Sequence, residues 1–352
     1  MSRIIVKNVT GGSELLWRHI KIKKSLDNIC HTLELEIPAS ERTKVHKHDR
    51  ITVRYVNSIV REPYGLATTV LIDEITASAD VSKHSVMVIG RSPARDIIDS
   101  TWTDTRMDMT LLELLRDIAG RFGIDKRDCS FLPNPTNDDD YDPTKEVGFF
   151  NWQNESPWMK LVTEAASQKV NDEGLIITAN EAGGFYIWQP EGAVRETEKF
   201  YLTEGQNIKT IEWKANGAEQ YHEYIVSGGS GDPARVIDDT CNNNRVLTID
   251  LTNPEPDQER LKRRAETEMR RRRENRVTVT VPGWGLTDAQ IQKNLGTDVS
   301  GKEIFWVPNL LIPVSMPSLG LDDNLLIAEV EMEASVETMS STITLVNRAA
   351  YL

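Results

Sequence analysis

The chain has 352 residues, a length typical of two or three domains rather than of one compact core. Its composition, 39% hydrophobic and 27% charged, is that of a folded, water-soluble protein. No segment holds the roughly 18 uncharged apolar residues of a membrane-spanning helix, and the formal net charge of -13 argues against a surface that binds nucleic acid throughout. Because the first residues lack the apolar core of a secretory signal, we expect folding in the cytoplasm.

The first ninety residues predict six short β-strands separated by polar turns. Leu33, Leu35 and Ile37 alternate with polar residues, a pattern that places one face of the strand in a core and the other in water. The predicted strands are residues 4–9, 20–24, 32–37, 51–56, 69–75 and 85–89. Strands of this length and spacing predict a small antiparallel barrel or sandwich, and we assign residues 1–92 as a first antiparallel β-barrel.

Residues 93–202 predict an α+β domain with two helices and a hairpin. Thr110, followed three residues later by Glu113, predicts a capping box at the start of the first helix. A second helix is expected to begin near Pro157. Within residues 175–189, two apolar runs flank the sequence Asn-Glu-Ala-Gly-Gly, which is typical of a β-hairpin.

Residues 203–352 predict a second β-barrel that carries an insertion at about 231–276. The insertion contains an Arg-rich helix, expected over residues 256–274. The predicted strands of this region are residues 208–213, 221–226, 277–281, 310–314, 325–331 and 342–346. The predicted fold class is therefore α+β and mainly β, with two similar antiparallel β-barrels and an α+β domain between them.

The two strand-rich regions resemble each other in sequence. Residues 71–75 (LIDEI) are echoed by residues 326–330 (LIAEV), and residues 85–91 (SVMVIGR) are echoed by residues 342–348 (TITLVNR). This alignment requires a hairpin loop two residues longer in the later copy, and loops tolerate such differences. The pattern predicts an internal duplication of one β unit.

The sequence contains no compact motif for catalysis or metal binding. The glycines of residues 228–231 lack the Gly-Lys-Ser/Thr of a phosphate-binding loop. His46 and His48 lack an identified third ligand, and residues 138–149 begin like a calcium loop but miss its glycine and final glutamate. We therefore predict no catalytic residue, cofactor or metal ion.

The strongest local charge anomaly is the stretch 259–276, which holds nine basic and four acidic residues in an otherwise acidic chain. Three interpretations stay open: a solvated helix with ion pairs four residues apart, a surface that docks onto an acidic neighbouring subunit, or a phosphate-binding surface for nucleic acid. The candidate subunit or partner interface comprises Arg263, Arg264, Arg270, Arg271, Arg272 and Arg273.

Five segments follow one another in a characteristic order along the chain: KSLDN at 24–28, HDRITV at 48–53, EGQNIK at 204–209, VTVTVPGW at 277–284 and WVPNLLIPV at 306–314. In this order they resemble the baseplate hub proteins of contractile-tailed Mu-like phages and prophages. Late control protein D and the N-terminal region of type VI secretion spike proteins are relatives of that family. The resemblance covers nearly the whole chain, and the order of the segments is more specific than any one of them.

The resemblance implies a homotrimeric ring in which each subunit contributes two similar β-barrels around a central channel. It implies a structural protein of the virion without enzymatic activity, made in the host cytoplasm and located in the tail baseplate. Its partners would be the tail tube protein and the spike protein. DNA would only pass through the channel, and the protein would not insert into a membrane.

Two alternatives stay open beside the hub. One is a cell-wall hydrolase associated with the tail, which a zymogram on peptidoglycan would reveal. The other is a DNA-binding protein that contacts phosphates through the helix of residues 260–276, which a salt-dependent gel shift would reveal.

Overall fold

The computed structural model describes the chain in thirteen pieces. These are residues 3–56, 60, 65–79, 84–132, 150–158, 161–162, 169–170, 173–188, 200–228, 231–251, 258–273, 275–287 and 304–351. The protein is mainly β, with few helices. No helix in these pieces combines the length and the apolar character needed to cross a membrane.

Seven strands form the first β region. They are β1 (Arg3–Asn8), β2 (Ser13–Leu15), β3 (His19–Ser25), β4 (Thr32–Pro38), β5 (Arg50–Val56), β6 (Leu66–Ala79) and β7 (His84–Arg91). Each of the six predicted strands overlaps one of them, so those predictions are confirmed. The seventh, β2, has three residues and is too short to show an alternating pattern.

The middle region is mixed. It contains α1 (Ala94–Ile98), β8 (Trp102–Arg106), α2 (Leu111–Arg121), β9 (Cys129–Leu132), β10 (Phe150–Glu155), β11 (Lys169–Val170), β12 (Glu173–Gly174), β13 (Ile176–Ala179) and β14 (Phe185–Trp188). The capping box is confirmed, since Thr110 accepts a hydrogen bond from the Glu113 amide and Glu113 accepts one from the Thr110 amide. The predicted hairpin is also confirmed as the antiparallel pair β13 and β14. Of the second predicted helix, residues 157–158 and 161–162 are helical and the rest lies outside the described residues.

In the described residues, the last region contains nine strands and the Arg-rich helix. They are β15 (Leu202–Thr203), β16 (Thr210–Lys214), β17 (Glu223–Gly228), β18 (Ala234–Ile237), β19 (Val246–Leu251), α3 (Gln258–Arg273), β20 (Arg276–Pro282), β21 (Leu311–Met316), β22 (Leu321–Ser335) and β23 (Met339–Val346). Strand β17 pairs with β18 and β19 in a separate three-stranded sheet. The predicted strand 221–226 therefore belongs to the insertion with α3, and not to the main sheet as the sequence pattern suggested.

Thirteen strands join in one continuous sheet that runs through both β regions. Its main path is β16-β20-β23-β22-β3-β4-β7-β6-β5-β1-β2, and β15 and β21 branch from β22. Two five-stranded units repeat within this sheet. The first unit has the order β3-β4-β7-β6-β5, and the second unit has the order β16-β20-β23-β22-β21.

The two units match residue by residue in the pairing of β6 with β7 and of β22 with β23. The β6–β7 register shifts between Ile72 and Glu74, and the β22–β23 register shifts between Ile327 and Glu329, so each unit has a β-bulge at the same place. The hairpins that follow these bulges are equally long, because Ala79 pairs with His84 in the first unit and Ala334 pairs with Met339 in the second. The bulge and the hairpin length support the predicted duplication.

The residues that lead into β5 and β21 support the same equivalence. His48 and Asn309 both have a φ of 68°, in the left-handed region that side chains other than glycine seldom adopt. The His48 amide donates to the Ile72 carbonyl at 2.9 Å, and the Asn309 amide donates to the Ile327 carbonyl at 2.8 Å. A rare backbone conformation at matched positions is stronger support for duplication than two similar hairpins.

The backbone register corrects the predicted alignment of the repeat. Glu74 pairs with Ile89 and Glu329 pairs with Thr344, so Ile89 corresponds to Thr344 rather than to Val346. The predicted alignment of residues 85–91 with residues 342–348 is therefore wrong by two residues. Because side chains of a strand repeat every two residues, a slip of two leaves the apolar pattern unchanged.

Within the described pieces, no sheet closes into a barrel, so the two predicted β-barrels are not found there. The reason is that β3, at the end of the first unit, pairs with β22 of the second unit, so both units share one open sheet. A single apolar core extends under both units and includes Ile22, Leu35, Val279 and Met332. The middle region and the insertion with α3 have cores of their own.

Candidate assembly interface

The junction between the two units lies where β22 meets β3. The strands are antiparallel, from the pair Glu329 and Ser25 to the pair Ser335 and His19. The side chains that face the core alternate with side chains that face away from it, as the pleat of a strand requires.

The inner face of the junction is fully packed. Ile20 and Ile22 of β3 are completely buried, and so is Met332 of β22, which is paired directly with Ile22. Burial of one such side chain stabilises the fold by about 1.5–3 kcal/mol. The inner face therefore supplies most of the energy that joins the two units.

The outer face of the junction carries three polar pairs arranged diagonally. Lys21 Nζ lies 2.9 Å from Glu331 Oε1, and Lys23 Nζ lies 2.9 Å from Glu329 Oε1. His19 Nε2 lies 2.7 Å from Glu333 Oε1. The hydrogen bond to Glu331 raises the pKa of Lys21 above its usual value. Partly exposed pairs of this kind each contribute about 0.2–1 kcal/mol, so they select the register more than they add stability.

The first unit has a free edge at the position that the junction fills in the second unit. Residues 74–79 of β6 correspond to residues 329–334 of β22, as the shared bulge shows. On the side away from β7, no strand of the described pieces pairs with residues 74–79. Ala77 is exposed, whereas its counterpart Met332 is buried in the junction. This edge offers backbone donors and acceptors to another chain.

The second unit has a complementary free edge at β16. This strand is the last one on the main path of the sheet. It corresponds to β3, because β16 pairs with β20 in the same register in which β3 pairs with β4. Trp213 is 55% exposed, whereas its counterpart Ile22 is fully buried. A groove of about 200 Å³ lies beside Trp213 and is lined by Val277, Leu321 and Leu325, among other residues. An apolar surface of this kind is typical of a protein interface.

The predicted interface arginines lie on α3, outside the sheet edges. Arg263 Nη2 lies 3.3 Å from Glu259 Oε1, one turn away. Arg264 and Arg272 both contact Glu268, at 2.7 Å and 3.1 Å. These are the ion pairs four residues apart that the first interpretation of the helix predicted.

The far end of α3 contacts the C-terminus of the chain. The Arg271 guanidinium lies over the Tyr351 ring, 4.7 Å from its centroid, and 3.7 Å from Asp27 Oδ1. Tyr351 donates a hydrogen bond to Asp27 at 2.8 Å, and burial together with the Asp27 charge raises the pKa of Tyr351. Arg270 is half-buried, and Arg273 is exposed at the last residue of the helix. The structure thus brings most of these arginines to partners within the chain, and their role toward another subunit stays a prediction.

A buried polar cluster attaches the middle region to the junction. Lys24 of β3 is 1% exposed, and its Nζ lies 2.8 Å from Glu181 Oε1 in the turn between β13 and β14. Burial alone would raise the pKa of Glu181, but the charge of Lys24 and its hydrogen bond lower it to about 2. His31 is buried beside this pair, and burial with the neighbouring Lys24 charge lowers the pKa of His31 to about 3.

The buried His31 predicts an acid-sensitive fold. The folded chain holds His31 neutral, whereas the unfolded chain protonates it near pH 6.5. Because of this difference, the free energy of unfolding falls by about 1.4 kcal/mol per pH unit as the pH falls below 6.5 toward 3. The His31→Gln variant is expected to lack this contribution. Chemical denaturation of both proteins between pH 7.5 and 4.5 measures the difference, and parallel pH profiles would contradict a neutral buried histidine.

The weak metal motifs in the sequence gain no support from the structure. His46 Nδ1 lies 3.6 Å from Asp49 Oδ2, and His48 Nδ1 accepts a hydrogen bond from Arg95 at 3.2 Å. In the part of the chain that the structure describes, no three His, Cys, Asp or Glu side chains are arranged to hold a metal ion. The acidic residues of 138–149 lie outside that part.

Comparison with known proteins relates the fold to phage tails. No protein-family model and no curated protein matches the chain. The 43 kDa tail protein of prophage MuSo2 from Shewanella oneidensis is 20% identical, with a TM-score of 0.74 over 99% of both chains. A tail protein from Neisseria meningitidis MC58 is 14% identical, with a TM-score of 0.73 over 99% of this chain and 98% of that one.

A third structure extends the likeness to type VI secretion. It is an E. coli component of that system, itself similar in structure to the bacteriophage T4 tail proteins gp27 and gp5. It is 8% identical to this chain, with a TM-score of 0.57 over 97% of this chain and 76% of that one. The predicted relation to tail and spike proteins is therefore confirmed at the level of the fold: this chain folds as prophage tail proteins do.

Proposed function

We propose that this protein is the baseplate hub of a contractile phage or prophage tail, of the Mu-like type. In this role three copies form a ring that joins the tail tube to the spike around a central channel. The observation that carries the proposal is the residue-by-residue equivalence of the two five-stranded units, seen in their matched bulges and registers. Three chains with two such units each give a ring of six similar units.

The free edges support closure into a ring. The edge of β6 and the edge of β16 differ from each other, so a contact between them joins two copies head to tail. Such a contact generates a ring when the rotation that relates one copy to the next closes on itself. The internal junction relates the two units of one chain in the same way as the contact would relate units of neighbouring copies. In the ring, each unit would complete its sheet against a neighbour.

The ring would serve as an adapter of symmetry. Six similar units match a sixfold tail tube, whereas three identical chains match a threefold spike. The net charge of -13 repels DNA in general and suits a channel that DNA passes through without binding. This role needs no catalytic residue, and the proposed partners are the tube protein, the spike protein and two further copies of the chain.

The domain limits and the α3 arginines belong to the same proposal. The units would occupy residues 1–92 and 203–352, with the middle domain, residues 93–202, outside the ring. The insertion with α3 also lies apart from the sheet. Its candidate residues remain Arg263, Arg264, Arg270, Arg271, Arg272 and Arg273, and they would contact the spike or a neighbouring subunit.

Electron microscopy of the purified protein tests the ring. We expect class averages of closed rings with a central hole and six similar lobes, and a mass of three times 39.8 kDa by light scattering on the same sample. Open filaments or a ring of a different copy number would contradict the hub. Clearing of peptidoglycan in a zymogram would favour the hydrolase alternative instead.

A further inference from the structure

We propose that residues 74–79 of β6 in one copy pair antiparallel with β16 of the next copy, in the register that β22 and β3 show within one chain. The proposal rests on the proposed function and names the partner surface by which the copies join. It follows from the equivalence of the two units, because the same pair of strand edges is joined once inside the chain and left open once.

The register can be transferred because both strands have fixed counterparts. On one side, the Arg18 amide donates to the Glu36 carbonyl, and the Lys209 amide donates to the Thr280 carbonyl at the equivalent point. Each residue of β3 therefore has an equivalent in β16, and the difference in residue number is the same for every pair. On the other side, the shared bulge fixes β6 against β22.

The transferred register predicts which residues meet. On the face toward the core, Met332 lies opposite Ile22 in the junction. The equivalent residues between copies are Ala77 and Trp213, which would lie opposite each other. A small side chain opposite a large one replaces two side chains of medium size, so the combined volume is similar. The exposed Trp213 would then be covered by the neighbouring copy, as Ile22 is covered by β22.

The outer face predicts one ion pair between copies. The diagonal pair Lys23 and Glu329 of the junction becomes Lys214 and Glu74, which keep the same signs of charge. The diagonal pair Lys21 and Glu331 becomes Glu212 and Thr76, which is not an ion pair. The contact between copies therefore keeps one of the polar pairs of the junction and depends more on backbone pairing and on Trp213.

Cross-linking measures the register directly. In the transferred register Ser78 lies directly opposite Glu212, as Glu333 lies opposite Lys21 within the chain. The double variant Ser78→Cys, Glu212→Cys is expected to form disulfide-linked dimers and trimers under mild oxidation, because directly opposite residues bring the two Cβ atoms within bonding range. The three native cysteines are buried and do not compete.

A matched control moves one cysteine by two residues on the same face. The double variant Ser78→Cys, Thr210→Cys is expected to give a roughly tenfold lower yield of linked species, since a slip of two residues separates the Cβ atoms beyond disulfide geometry. Equal yields in the two variants would overturn the register.

Charge reversal tests the ion pair in the unlinked protein. Each of the variants Lys214→Glu and Glu74→Lys is expected to weaken the trimer about tenfold in its dissociation constant, because the pair is lost and a repulsive contact takes its place. The double reversal is expected to restore most of the affinity. Circular dichroism of the single variants checks that the chain is folded.

The outcomes separate this pairing from the ring itself. If a trimer forms that neither cross-links in the predicted register nor responds to charge reversal, the strand pairing is wrong and the ring survives with another contact. If the folded chain stays monomeric, both the pairing and the proposed function are wrong.

Discussion

Replacing Ile22 by Ala is expected to destabilise a single chain by about 2–5 kcal/mol, because Ile22 is fully buried between the two units and its loss leaves a cavity. The equivalent change at the free edge, Trp213→Ala, is expected to cost a single chain less than about 1 kcal/mol, since Trp213 is largely exposed there. The two residues occupy the same position in the two units, so each serves as the control for the other.

The two variants should separate further when copies assemble. We expect Trp213→Ala to lower trimer affinity, because the side chain becomes buried only against a neighbouring copy. Urea denaturation at high dilution measures the stability of the single chain, and sedimentation at higher concentration measures assembly. If both variants lose equal stability at high dilution, Trp213 is packed within its own chain, and β16 is not a free edge.

Replacing Glu181 by Ala is expected to destabilise the protein by about 3–5 kcal/mol, because it leaves the ammonium of Lys24 buried without a counter-ion. Lys24 cannot turn toward solvent without leaving β3, whose backbone is paired on both sides. The loss should be seen as an earlier transition in thermal or urea denaturation at neutral pH.

The control for this variant removes both charges together. The double variant Lys24→Met, Glu181→Leu replaces the pair by apolar side chains of similar size and is expected to recover most of the lost stability. A double variant as unstable as Glu181→Ala would show that the loss comes from the turn between β13 and β14 rather than from an unpaired Lys24.

The local patterns of the sequence were sufficient to predict many elements. Strands with clear alternation, such as β4, and the helix that begins after Thr110 are governed by contacts between residues close in sequence. The short strands β2 and β15 carry too few residues for any pattern to appear. The alignment of the repeat was wrong by two residues because apolar alternation has a period of two, and only the bulges at Asp73 and Ala328 fix the register.

The candidate interface was harder to predict, because it depends on which strands are neighbours. The pairing of β22 with β3 joins residues about 300 positions apart, and nothing local in the sequence encodes such a contact. The charged helix α3 attracted attention because its signal is local, yet most of its arginines contact the chain's own acids. One sequence signal did mark the free edge: β16 carries Trp213 and Glu212 where β3 carries Ile22 and Lys21.

Hydrogen–deuterium exchange tests most directly whether the free edges are completed by other copies. We predict that the amides of residues 74–79 and 210–214 become as slow as those of residues 329–335 when the copies assemble, and exchange fast in the Lys214→Glu variant at low concentration. The amides of the internal junction should stay slow in both states. Fast exchange at both edges in the assembled protein, with slow exchange at the junction, would contradict the account.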